Sequence, residues 1–66
     1  MNILLNGKAH SVADGSSIAD LITEMNLTGS RYAVEVNEQL IPRSQHAAFT
    51  LNPDDVVEIV QAIGGG

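Results

Sequence analysis

Cysteine and tryptophan are absent from this sequence, the aromatic side chains are confined to Tyr32 and Phe49, and the only basic residues are Lys8, Arg31 and Arg43. Without a thiol the chain forms no disulfide, offers no thiolate to a metal, and holds no sulfur as a cysteine persulfide or thioester. With so few aromatics, a core has to be built from Ile, Leu, Val, Met and Ala. Three basic residues against eight acidic ones leave a formal charge of -5, which repels phosphate backbones and anionic lipid headgroups. Nucleic acid and membranes are therefore disfavoured as partners, and a basic protein surface is favoured. No apolar run approaches the roughly 20 residues that span a bilayer. The start MNILLNGKAH has neither the charged nor the apolar region of a signal peptide, so the expected location is the cytoplasm. A chain of 66 residues has room for one small domain, because at this size only about 60% of the unfolded surface is buried.

The hydropathy pattern changes period along the chain. Over residues 1–5, Met1, Ile3 and Leu5 share one face, and Asn6-Gly7 follows as a turn pair suited to positive φ. A second strand runs from Lys8 to about Val12, until Asp14-Gly15 ends the hairpin. Ser17-Ile18-Ala19-Asp20 then has the spacing of a capping box. Ile18, Leu21, Ile22 and Met25 fall at i, i+3, i+4 and i+7, one apolar stripe, while Asp20, Thr23 and Glu24 point elsewhere. Residues 26–29 close this helix.

Residues 32–36 alternate again, with Tyr32, Val34 and Val36 opposite Ala33 and Glu35, and Asn37-Glu38 turns the chain into Gln39-Leu40-Ile41. Pro42 has no amide to give a ladder, so residues 43–50 read as irregular or short 3₁₀ structure packed through Phe49. Asn52-Pro53-Asp54-Asp55 is a turn into a last strand over residues 56–60. The order strand, strand, helix, strand, strand, strand predicts an α+β fold, a sheet of about five strands around one main helix. Residues 1–60 form the domain and residues 61–66 a flexible C-terminal glycine tail.

No internal reaction centre is legible. His10 and His46 stand far apart with no ligand-spaced carboxylates beside them, so no metal site is expected and both read as surface histidines. Ser16, Ser17 and Ser44 form no nucleophile-base arrangement with them, and Gly7, Gly15 and Gly29 compose neither GxGxxG nor a P-loop. The chain is thus expected to be no enzyme and to bind no cofactor itself, leaving any ATP to a partner.

The chemistry-bearing feature is the tail Gly64-Gly65-Gly66. Glycines present no side chain to a narrow channel closing around them, and the group they would deliver is the carboxylate of Gly66. That group is ionised at neutral pH and has to be activated, by attack on the α-phosphorus of ATP, before a sulfur or amine nucleophile can displace it. Three terminal glycines on their own fit an inert, frayed end equally well. In the last strand, Val57 and Ile59 toward the core would turn Val56, Glu58 and Val60 the other way, joined by Leu4 from the first strand. That makes a candidate docking patch with an acidic rim, to which Ile63 and Gly64 would add at the root of the tail. Cover of the patch by a loop, or a different register, is the alternative.

Met1-Asn2-Ile3-Leu4-Leu5-Asn6-Gly7, Asp14-Gly15-Ser16-Ser17, Ala33-Val34-Glu35-Val36-Asn37, Ile41-Pro42-Arg43-Ser44-Gln45-His46 and Val60-Gln61-Ala62-Ile63-Gly64-Gly65-Gly66 together resemble the ThiS family, the ubiquitin-like sulfur carriers of thiamine biosynthesis, over essentially the whole chain. The resemblance implies a β-grasp fold. It implies that an E1-like enzyme, ThiF, adenylates the terminal glycine, that a sulfurtransferase supplies sulfur to make a thiocarboxylate, and that thiazole synthase, ThiG, accepts it for the thiazole. The family's terminal Gly-Gly pair maps onto Gly65 and Gly66, and Gly64 is an additional glycine. Two other readings share the tail: the small subunit of molybdopterin synthase, resembling MoaD, and a ubiquitin-like modifier conjugated to lysine amines.

Overall fold

In the computed structural model, residues 1–27 and 31–61 are described. The strands are β1 (Asn2–Leu5), β2 (Lys8–Ser11), β3 (Tyr32–Val36), β4 (Gln39–Ile41) and β5 (Val56–Gln61), with helix α1 (Ile18–Glu24) between β2 and β3 and a 3₁₀ turn (Arg43–Gln45) after β4. They form one five-stranded sheet in the order β2-β1-β5-β3-β4. Both hairpins are antiparallel and β5 lies antiparallel to β3, but β1 and β5 run parallel. The sheet is therefore mixed, with the last strand inserted at its centre, which is the β-grasp arrangement. Gly29 lies outside the described residues, as do residues 62–66.

The first hairpin closes through Asn6 and Gly7, at φ 50° and 84°, and the second through Asn37 and Glu38, at φ 51° and 69°. Both central residues are left-handed, as a two-residue turn between right-twisted strands requires. The capping box forms as the spacing indicates. Asp20 N–H donates to Ser17 Oγ at 3.1 Å and Ser17 N–H to Asp20 Oδ2 at 2.9 Å.

Two further amides at the start of α1 go to the irregular stretch after β4: Ile18 N–H to the Phe49 carbonyl and Ala19 N–H to that of His46, each at 3.0 Å. Residues 43–50 thus serve as a backbone cap that satisfies helix donors otherwise left without acceptors. Ile18, Leu21 and Ile22 of α1 pack with Ile3, Val34, Val36, Ile41, Val57 and Ile59 on one face of the sheet, and Val12 and Leu51 complete the buried core.

One expectation fails. His46 is 6% exposed, not a surface residue. The 3₁₀ turn folds it under, where its ring stacks on Tyr32 with centroids 6.1 Å apart and its Nε2–H donates to the Ile41 carbonyl at 2.9 Å. The surrounding stretch, residues 43–50, has no hydropathy period, so burial by a turn leaves no signal in sequence. His10 is partly exposed and pairs with Glu24 at 2.6 Å, tying β2 to the end of α1.

Candidate functional site: the outer sheet face and the root of the tail

β5 alternates strictly between core and surface. Val57 and Ile59 are buried against α1, whereas Val56, Glu58 and Val60 face outward. Its register carries this alternation across the sheet. Leu4 of β1 lies beside Val56, Ala33 of β3 beside Val60, and Glu35 of β3 beside both Glu58 and Leu40 of β4.

The large apolar side chains that stay exposed among the described residues are Leu4, Leu40, Val56 and Val60, with Val60 the most open at 67%. All four lie on this outer face. Sequence alternation identifies Leu4, Val56, Glu58 and Val60, but Leu40, Ala33 and Glu35 complete the surface only once β3 is paired with β4 and β5. Their signal was present in the outward positions of the second hairpin; the missing information was which strand lies next to β5.

The charge on this face has one sign. Glu35 and Glu58 stand directly opposite each other across β3 and β5, and neither is in an ion pair among the described residues. Like charges in that relation are destabilising. A sheet surface that keeps them between valines and leucines is suited to a partner carrying a cation with apolar neighbours.

Two turn asparagines finish the edges of β5. Asn37 Oδ1 accepts the Val56 N–H at 3.0 Å, while its Nδ2 donates to the buried Asp55 carboxylate at 3.0 Å. Asn6 Oδ1 accepts the Ile59 N–H at 2.8 Å. β1 ends at Leu5 while β5 continues to Gln61, so a side chain takes over where backbone pairing stops. In sequence, β5 at the centre of the sheet is followed after one residue by Ile63, Gly64, Gly65 and Gly66, which lie outside the described residues.

A concavity of about 280 Å³ lies apart from this face, between α1 and the 3₁₀ turn, and is lined by Ala19, Ile22, Thr23, Tyr32, Arg43, His46 and Ala47. The Arg43 guanidinium sits 4.3 Å from the Tyr32 ring centroid. Among the described residues no three His, Asp or Glu side chains are grouped as metal ligands, and no helix is long and apolar enough to cross a membrane.

The family model for the ThiS family matches residues 3–66, from the core of β1 through the terminal glycines. The chain belongs to the ThiS family. The thiazole synthase of Magnetococcus marinus is 35% identical and that of Paramagnetospirillum magneticum 32% identical, each over all 66 residues of this chain. The chain spans only 20% of the length of either. The sulfur carrier protein ThiS of Escherichia coli K12 is 30% identical over the whole of both chains. The crystal structure of ThiS from Geobacter metallireducens superimposes with a TM-score of 0.84 at 29% identity, again over the whole of both chains. The ThiS-family fold therefore accounts for the entire described domain.

Proposed function

We propose that this chain is a sulfur carrier for thiazole formation in thiamine biosynthesis, and that the sulfur travels as a thiocarboxylate on Gly66. The observation that carries this reading is the family match, which includes the glycine end as well as the domain. The absence of cysteine is compatible with it, because sulfur on a terminal carbonyl needs no thiol in the carrier.

The chemistry falls to partners. An E1-like enzyme of the ThiF kind binds ATP and lets the Gly66 carboxylate attack the α-phosphorus, releasing pyrophosphate and leaving an acyl adenylate. The persulfide of a sulfurtransferase then attacks the carbonyl carbon and displaces AMP, and a thiol of a partner cleaves the resulting acyl disulfide, leaving the thiocarboxylate on Gly66 and the oxidised sulfur in a disulfide. The carrier's own contribution is to dock, through Leu4, Val56, Glu58 and Val60 with Leu40 and Glu35, and to present Ile63, Gly64, Gly65 and Gly66 as a slender chain. Extended at about 3.3–3.6 Å per residue, the five residues after β5, 62–66, would reach roughly 17 Å beyond it, enough to enter a buried partner site.

Thiazole synthase is the acceptor this reading favours. In two proteins of that name a stretch resembling this chain makes up a fifth of the polypeptide, which puts a carrier-like domain and a synthase on the same molecule. Deleting Gly65 and Gly66 tests the role of the tail. The truncated chain is expected to keep its unfolding midpoint and to lose all activation, measured as ATP–pyrophosphate exchange with the E1-like enzyme. A truncated chain that still supports exchange would contradict the proposal.

A further inference from the structure

The two edges of β5 are not equally covered. Asn37 N–H donates to the Val56 carbonyl, which sets the parity of the strand: the backbone groups of Val56, Glu58 and Val60 face β3, and those of Val57, Ile59 and Gln61 face β1. On the β3 side the register runs to Tyr32 opposite Gln61. On the β1 side it stops early. Leu4 and Asn6 donate their amides to the Asp55 and Val57 carbonyls, both at 2.9 Å, and Asn6 Oδ1 takes the Ile59 N–H. The Asn6-Gly7 turn then carries the chain away. The next groups on that edge, the Ile59 carbonyl and the Gln61 N–H, have no partner among the described residues.

We propose that this open edge receives an extended segment of a thiazole synthase as an added strand beside β1's end, so that the tail is guided to its acceptor by main-chain pairing. The inference rests on the carrier reading above and names how that partner engages. Glycines leave a partner nothing to grip but backbone, so recognition near the tail has to be made through N–H and C=O groups, as in other cases of strand addition. The geometry already contains a template. Asn6 answers Val57 and Ile59 with one donor and one acceptor, and a single residue of an added strand, standing to Ile59 and Gln61 as Asn6 stands to Val57 and Ile59, would answer both open groups. The other edge is filled by β3, so the strand can add on one side only. The occupant is taken to be the synthase because relatives carry a domain like this within thiazole synthase polypeptides.

The test uses the unaltered ¹⁵N-labelled chain and the thiazole synthase of the same organism. Amide exchange at Gln61 is expected to slow at least tenfold on binding. Gln61→Pro removes the outward N–H without touching a bond to β3, and is expected to weaken binding about tenfold, the effect of losing one hydrogen bond of about 1.4 kcal/mol. Gln61→Ala, which keeps the amide, should bind within twofold of the parent. Binding that leaves the Gln61 amide unprotected overturns the added strand while the carrier reading stands. No binding to the synthase overturns the strand together with the choice of acceptor. Should the proline variant unfold, the exchange measurement on the parent chain still decides.

Discussion

Asn6 does two things that a turn residue need not do together. Its φ of 50° is one that asparagine tolerates and most side chains do not, and its Oδ1 satisfies the Ile59 amide 53 residues away in sequence. Asn6→Gly separates these roles, since glycine accepts the backbone conformation but leaves that amide without its acceptor. The variant is expected to lose about 1–3 kcal/mol in urea unfolding, the cost of an unsatisfied, partly buried donor; a neutral result would mean that only the turn matters. Sequence reveals the turn half of this, through the Asn-Gly pair. The cap is invisible there, because it depends on β5 lying parallel to β1 and outrunning it. His46 is a similar case: its burial against Tyr32 follows from a 3₁₀ turn in a stretch with no hydrophobic period.

At the scale of elements, α1 is only seven residues long, too short to persist on nucleation and propensity alone. What holds it is its apolar stripe against the sheet and a fully answered first turn, with Ser17 and Asp20 capping each other and the stretch after β4 taking the Ile18 and Ala19 amides. Ser17→Ala should therefore destabilise the domain by about 1 kcal/mol, read as a lower urea midpoint with an unchanged slope. A shift within error would show that the backbone cap from residues 43–50 suffices. The elements themselves are largely legible in sequence, because two-residue periodicity in β3 and β5, the i, i+3, i+4, i+7 stripe in α1 and the capping box are all local signals. Sheet order is not local. Alternation in β5 identifies Val56, Glu58 and Val60 as outward, but only the pairing of β3 with β4 and β5 brings in Leu40 and sets Glu35 against Glu58.

The whole molecule is organised around β5, whose inner side chains build the core, whose outer ones centre the apolar face, and whose end leads to the glycine tail. Core and docking surface can therefore be altered separately on one strand. Val60→Asp, at a position 67% exposed, is expected to leave the unfolding midpoint unchanged and to weaken thiazole synthase binding tenfold or more, as loss of a central apolar contact does; undiminished binding would remove this face from the interface. The most direct test of the account is intact-protein mass spectrometry after incubation with ATP, the E1-like enzyme, a sulfurtransferase and a sulfur donor. A gain of about 16 Da, oxygen replaced by sulfur at the C-terminal carboxyl, confined to the fragment ending in Gly66, is the predicted result. No gain, with partners that load another carrier in the same mixture, would contradict the thiocarboxylate and with it the proposed function.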